Sequence, residues 1–332
     1  MKSKIRSTYQ LAKVKFCKNK IPVIVRWDLT ARCPLRCKYC RIWEKNIKEL
    51  DTLRIFKLID EMATIGVKKI SFSGGEPLLR DDICAIVNYA KRKKISPEMN
   101  TAGFLFPEKA DQLRQLDLLK ISLDGPQPIN DLVRGNKRAF SWATDSAKWA
   151  KRNKINFVFC CTLTGYNADY VEDVLKLAED FATQVRFQPL KDIRYLKYSN
   201  FVDNNDPKLI PSRAQYRAAL DTLIKYSRKK SPVLSNSHQA LRHIYNWPEY
   251  PKLKCWAGKL FCMINPAGEV SPCDRLFYKA NLPNCAEMPF ENAVKNLPDL
   301  PSCDGCGFLG SLALNYLMNF KFDAWLIKKI MT

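Results

Sequence analysis

Val23-Ile24-Val25-Arg26-Trp27, followed by Thr30-Ala31-Arg32-Cys33-Pro34-Leu35-Arg36-Cys37-Lys38-Tyr39-Cys40, is the stretch on which the reading of this chain turns. The first run is apolar and strand-like, and a helix-like segment begins at Asp51, so the cysteines lie at the carboxyl end of a first strand. Barrel folds place their chemistry at that end. The cysteine spacing is C-x3-C-x2-C. Three such thiolates can hold three irons of a four-iron cluster and leave the fourth without a protein ligand. An open iron is a reactive site, as an open position on zinc is. A zinc site lacking one partner, or unpaired buried thiols, are the other readings of this spacing.

Outward from this loop, strand-like runs at Val23–Trp27, Lys69–Ser73, Ile95–Asn100, Leu119–Leu123, Ile155–Leu163 and Gln184–Gln188 alternate with helical patterns. The helices read as Asp51–Ile65 capped by Gly66, Asp81–Arg92, Pro107–Leu116, Lys137–Arg152 and Ala168–Phe181, with one more beyond Pro211. Alternation of this kind gives an α/β fold with a parallel sheet, here of six βα units, short of a closed eightfold barrel. Asp203-Asn204-Asn205-Asp206-Pro207 is a polar breaker and marks the exit from this core.

Several strand ends carry polar groups in a definite order. Ile70-Ser71-Phe72-Ser73-Gly74-Gly75-Glu76-Pro77 runs a second strand into a glycine pair and a carboxylate, where backbone can approach a ligand closely and a carboxylate can meet an ammonium group. Leu119-Lys120-Ile121-Ser122-Leu123-Asp124-Gly125 ends a fourth strand in a hydroxyl and a carboxylate. Asn130-Asp131-Leu132-Val133-Arg134-Gly135 and Val185-Arg186-Phe187-Gln188-Pro189-Leu190 follow. Each alone reads as a strand end or turn; their shared order does not.

Together with the cysteine run, these segments resemble the radical S-adenosylmethionine (radical SAM) superfamily. The resemblance implies an open, partial (βα)6 TIM-like barrel. It implies a [4Fe-4S] cluster on Cys33, Cys37 and Cys40 whose open iron chelates the methionine part of S-adenosylmethionine (SAM). It also implies SAM contacts from Tyr39, Gly74, Gly75 and Glu76 (amino group), Ser122 and Asp124 (ribose) and Gln188 (near the adenine). One departure stands at strand three, where Asn100-Thr101-Ala102-Gly103 replaces the frequent Thr-Asn-Gly. The resemblance names no catalytic acid or base. It implies an external reductant such as flavodoxin or ferredoxin.

A second cysteine group gathers Cys255, Cys262, Cys273, Cys285, Cys303 and Cys306. Phe261 to Cys273 reads as a β-hairpin turning at Asn265-Pro266-Ala267-Gly268. Cys255 and Cys273 flank it, and Cys303-x2-Cys306 would close a four-sulfur site. This resembles the twitch domain, the shortened SPASM domain, and implies a second, auxiliary [4Fe-4S] cluster; a zinc ribbon has the same ligand set. Cys262 is the first substitute ligand and Cys285 a loop thiol or second substitute, while Cys17, Cys84, Cys160 and Cys161 read as core or surface thiols. His238 and His243 read as helix-surface residues.

The chain of 332 residues thus divides into a basic segment 1–20, a core 21–205, a helical linker 206–250, a small β-hairpin-containing iron-sulfur domain 251–310 and an amphipathic helix 311–332. No secretory signal is visible at the amino terminus, and the setting expected for thirteen cysteines is a reduced cytoplasm. A net charge of +22, from 55 basic and 33 acidic residues, favours an anionic or lipid-linked substrate and peripheral contact with an acidic membrane through the basic N-terminal segment and the Trp-containing tail, while docking of that tail on the protein's own core is the other and leading reading of it. The basic runs read as solvated helix ends, so nucleic acid is not expected. The reading the resemblance implies is an enzyme that cleaves SAM reductively to a 5′-deoxyadenosyl radical and abstracts hydrogen from its substrate, the auxiliary cluster either accepting an electron, which gives net oxidation and is the favoured role, or binding substrate directly. The rival classes are RNA modification by the same radical and a non-enzymatic iron or zinc protein.

Overall fold

The computed structural model describes residues 20–191, 206–274, 276–277, 281–298, 300 and 306–321. Its strands are β1 (Ile24–Thr30), β2 (Lys69–Gly74), β3 (Ser96–Thr101), β4 (Leu118–Ser122), β5 (Phe157–Leu163), β6 (Gln184–Pro189), β7 (Phe261–Ile264) and β8 (Val270–Ser271). Its α-helices are α1 (Thr52–Ile65), α2 (Ile83–Arg92), α3 (Phe106–Lys109), α4 (Gln127–Arg134), α5 (Ala139–Arg152), α6 (Val171–Asp180), α7 (Arg213–Arg228), α8 (His238–Ile244), α9 (Phe290–Lys295) and α10 (Leu309–Met318). All eight strands form one open sheet in the order β6-β5-β4-β3-β2-β1-β7-β8, parallel from β6 through β7. This is a mixed α/β fold with a partial TIM-like barrel.

Alternation along the strands separates two faces. Val25, Trp27, Ile70, Phe72, Met99, Leu119, Ile121, Phe159, Val185 and Phe187 are buried in one continuous core with Leu58, Met62, Ile86, Val87, Ala147 and Val174 from the helices. The intervening residues Arg26, Asp28, Ser71, Glu98, Asn100, Lys120, Ser122, Cys160 and Arg186 form the inner face. Helix α1 begins where the Asp51 side chain accepts from Arg54 N at 2.8 Å and ends at Gly66 in the left-handed conformation.

The structure revises several boundaries. Pro107–Leu116 is a single turn of α-helix tightening into a 3-10 segment, Ala110–Leu113, whose ends are both fully buried, as the three-residue period requires for one face. The segment Ala168–Phe181 likewise starts with a 3-10 turn, Ala168–Tyr170. Helix α4 has no counterpart in the sequence reading. The hairpin is not a separate sheet: β7 lies parallel to β1, pairing Ile24 with Phe261 and Trp27 with Ile264, so the sheet has eight strands rather than six. Cys262 points into the helix-side core, and Cys285 is buried there too, its Sγ donating to Gly268 O at 3.0 Å. Burial pushes both thiols up, Cys285 to about 12. His243 is not on a surface: it is 2% exposed, stacked on Tyr250 and bonded to Tyr316 and the Cys306 carbonyl. Residues 1–19, Cys303 and the tail from 322 onward lie outside the described residues. Among the described residues no helix is long and apolar enough to cross a membrane.

Candidate active site at the carboxyl ends of the strands

The loop after β1 carries Cys33, Cys37 and Cys40, all half-buried. Leu35, 2% exposed, roots it in the protein, and the Cys40 N–H donates to Cys37 O at 3.0 Å. Arg36 crosses back to the Cys33 and Leu35 carbonyls at 2.9 and 3.0 Å and lies over the Trp43 ring at 4.1 Å. Burial pushes the Cys33 and Cys37 thiols up to about 12 and raises Cys40. Such thiols keep their protons unless positive charge arrives, and coordinated iron is such a charge.

Two neighbouring segments hold this loop. On one side the chain leaving β2 runs along it: Gly75 N donates to Thr30 O at 2.8 Å and Glu76 N to Arg32 O at 2.8 Å. The glycine pair follows from that apposition. A Cβ on Gly74 would stand 2.3 Å from Thr30 O, and one on Gly75 2.1 Å from Arg32 O, so no side chain fits at either position.

On the other side the loop rests on β4 and α4. Lys38 N donates to Val133 O at 2.9 Å, and Tyr39 donates its hydroxyl to Asp124 Oδ2 at 2.8 Å. Arg134 Nε stands 2.7 Å from the same oxygen, with its guanidinium 5.5 Å from the Tyr39 ring centre. The other oxygen, Oδ1, accepts from Thr162 N at 2.8 Å, and Asp124 is fully buried. Asn167 Nδ2 donates to the Asp124 carbonyl at 2.8 Å, and Asp124 N donates to Asn130 Oδ1 at 2.8 Å. Asp124 is therefore the post on which the cysteine loop is hung.

Glu76 is also fully buried. Its carboxylate accepts from Thr101 Oγ1 and Ala102 N, each at 2.8 Å, and from Leu78 N at 3.2 Å. Burial outweighs these three donors and pushes its pKa up to about 7. Asn100-Thr101-Ala102-Gly103, the departure noted at strand three, thus receives the Glu76 carboxylate. Ser122 is half-buried at the end of β4, and Gln188 is exposed with Nε2 donating to Thr162 Oγ1 at 3.0 Å.

The second cysteine group is only partly assembled among the described residues. Cys255 Sγ accepts from Asn315 Nδ2 at 3.7 Å and Cys306 Sγ from Phe308 N at 3.3 Å, so α10 and its cap serve both. Cys273 is half-buried after β8, its carbonyl accepting from Ser271 at 2.9 Å. The segments before β7 and after β8 touch, since a Cβ on Gly258 would stand 2.9 Å from Pro272. Among the described residues no three His, Cys, Asp or Glu side chains converge on a single ion. An iron-sulfur cluster makes no such demand, because each cysteine binds its own iron.

Residues 27–178 match the model of the radical SAM superfamily. Just under half of this chain is thus similar to the radical SAM superfamily. Over 173 residues it is 34% identical to Fe-coproporphyrin III synthase of Methanosarcina barkeri, covering 50% of this chain and 43% of that protein. Over 265 residues it is 28% identical to PqqA peptide cyclase of Bradyrhizobium diazoefficiens, covering 76% of this chain and 67% of that protein. The chain thus spans less than half the length of the first relative. Among solved structures, Streptococcus suis SuiB bound to S-adenosylmethionine superposes with a TM-score of 0.66 at 15% identity, over 87% of this chain and 69% of that one. For anSMEcpe with bound AdoMet the TM-score is 0.65 at 19% identity, over 83% and 80% of the two chains. Both are likenesses of fold.

The radical SAM family implies a [4Fe-4S] cluster and SAM, and the donor set suits the cluster: three half-buried thiols in one loop with Arg134 beside Cys37. The sequence reading quoted Arg134 without giving it a role, and it missed Glu49, which accepts from Thr30, Arg32 and Arg80 at 2.5, 2.8 and 3.0 Å and so braces the base of the loop. A solitary glutamate between two motifs carries no periodic or spacing signal.

Proposed function

We propose that this chain is a radical SAM enzyme whose Cys33, Cys37 and Cys40 hold the SAM-binding cluster. The observation that carries the reading is the clamped cysteine loop itself, a three-thiol set fixed between the Gly74-Gly75 backbone and the Tyr39–Asp124–Arg134 network within the matched domain. Cys33, Cys37 and Cys40 would hold a [4Fe-4S] cluster that, with SAM, would supply one-electron reductive cleavage of SAM and hydrogen abstraction from the substrate. The chain's own part is orientation. The glycine pair lets backbone stand beside the loop, and Glu76 fixes the turn after β2 by tying it to the end of β3. Ser122 and Gln188, half-buried and exposed, are the polar groups of the expected SAM set left toward the inner face.

The auxiliary cluster on Cys255, Cys273, Cys303 and Cys306 belongs to the same proposal. N–H donors aimed at Cys255 and Cys306 are the contacts that tune cluster sulfurs, and they favour iron-sulfur over a plain thiol group. One relative is named for a peptide and the other for a coproporphyrin, so kinship leaves the substrate open. The test is anaerobic reconstitution followed by measurement of 5′-deoxyadenosine and methionine on addition of SAM and reductant. SAM cleavage that persists after Cys33, Cys37 and Cys40 are all replaced by Ala overturns the reading.

A further inference from the structure

On the inner face of the sheet the carboxylates are already matched. Arg26 lies 3.1 Å from Asp28 and 3.3 Å from Asp274, Lys191 lies 3.0 Å from Asp274, and Lys120 lies 2.6 Å from Glu98, which Lys69 also contacts. Glu98 shows how thoroughly: burial alone would raise its pKa, yet Lys120 and Lys69 hold it at about 2.

Arg186 stands apart from this matching. It sits half-buried in β6, and among the described residues no hydrogen bond or ion pair engages its guanidinium. In register it lies opposite Cys160 of β5, which in turn lies opposite Ser122 of β4, so Ser122, Cys160 and Arg186 form one row across the carboxyl half of the sheet. That is the half from which the cysteine loop rises. Lys120 is two residues before Ser122 on the same face, and its pKa is lowered by burial and further by the Arg186 charge. Cys160 is half-buried; burial raises its thiol pKa while Arg186 and Lys120 act to lower it. Arg186 thus brings a charge that no described carboxylate pairs with to a partly desolvated surface, beside Lys120, whose own charge is held by Glu98. A planar guanidinium in that position is suited to grip two oxygens of one group.

We infer that Arg186, reinforced by Lys120, is the seat for an oxyanion group of the substrate, a carboxylate or a phosphate, on the inner face beside Cys160. The word substrate rests on the radical SAM reading above; the seat itself is read without SAM or reductant.

Cys160 supplies the measurement. Iodoacetate and iodoacetamide alkylate thiols with the same leaving group and differ in charge, so the ratio of their rates at one thiol reports the local potential and cancels changes in thiol ionisation. In the full-length, cluster-loaded protein, labelling at Cys160 is located by peptide mass spectrometry, with Cys160→Ser as the control. Arg186→Gln is expected to lower the iodoacetate-to-iodoacetamide ratio about tenfold, and Arg186→Lys to keep it within about twofold. Millimolar glutarate or phosphate is expected to slow iodoacetamide labelling of the unmodified protein, and whichever protects better assigns carboxylate or phosphate. A ratio unmoved by Arg186→Gln, protection by neither anion, or a Cys160 that reacts with neither reagent overturns the inference. The protection arm needs no variant, so it stands even if Arg186→Gln fails to fold. Failure of SAM cleavage overturns the functional reading alone, since no labelling step uses SAM.

Discussion

Two cysteine regions of this molecule are built in opposite ways. Cys33, Cys37 and Cys40 fall within one loop, and that loop is gripped from both sides by the ends of β2 and β4. Cys255, Cys273 and Cys306 come from separate segments, before β7, after β8 and ahead of α10, and are linked through Asn315, Phe308 and the packing of Gly258 on Pro272. Thiols that are close in sequence need remote support, whereas thiols far apart bring their own cross-links. The first kind of site depends on single buried contacts; the second depends on the folding of everything between its members.

The largest effect expected from this contrast is on iron. Reconstituted protein should carry about eight irons, and the Cys33, Cys37 and Cys40 triple Ala variant about four, with SAM cleavage abolished. Cys255→Ala with Cys273→Ala should also leave about four, but with SAM cleavage to 5′-deoxyadenosine retained. Zinc in the second site, measured by elemental analysis, would break the comparison at its root.

Next in size is the buried post. Asp124→Ala removes the acceptor shared by Tyr39, Arg134 and Thr162 N and leaves a buried guanidinium unpaired, which should cost about 3–5 kcal/mol in urea unfolding and loosen iron from the first site only. Gly75→Ala should cost about 3 kcal/mol, because its new methyl would meet the Arg32 carbonyl at 2.1 Å. A Gly75→Ala protein of unchanged stability would mean that the loop yields where the structure holds it tight.

Two buried glutamates sharpen the comparison through pH. Glu98, held at about 2 in the folded protein, contributes stability that is present above its unfolded pKa of about 4.3 and is lost as pH falls toward 2. Glu76, raised to about 7, does the reverse: the folded protein keeps a proton that the unfolded chain releases, so stability falls by about 3 kcal/mol as pH rises from about 4.3 to about 7. Glu76→Gln should remove that falling limb from a stability profile while leaving the acid limb of Glu98. A profile with both limbs intact in the variant would assign the fall to another group. The smallest effect is that of Tyr39→Phe, which deletes one hydrogen bond to Asp124 and should cost about 1–2 kcal/mol with both sites still loaded.

The fold was legible wherever one segment carried both pattern and punctuation. Asp51 and Gly66 bracket α1 in the sequence, and they cap it in the structure. The strand starts at Lys69 and Gln184 are where the pattern places them. Helix α4 escaped because Pro126, Asp131 and Arg134 leave an apolar stripe too short to show a period, and its role is to carry Val133 and Arg134 to the cysteine loop. The pairing of β7 with β1 escaped for another reason: four apolar residues cannot announce a partner far back in the chain. In the candidate site the cysteines and glycines were visible by spacing. The buried use of Asp124 and Glu76 was not, because a carboxylate facing a ligand and one facing backbone donors are the same letter.

The pairing of β1 with β7 also bears on how the chain is made. Strand β1 forms early and pairs with β2 on one side, but its other edge waits for Phe261–Ile264. At ribosomal speeds of roughly 5–20 residues per second, that edge stays open for roughly 10–50 s on every nascent chain. An unpaired parallel edge rich in Ile, Val and Trp is a template for a neighbour's strand, and crowded polysomes offer many neighbours. The carboxyl-terminal hairpin is thus the piece that retires this hazard, and yield of intact protein in the cell should depend on how quickly residues 261–271 follow the rest.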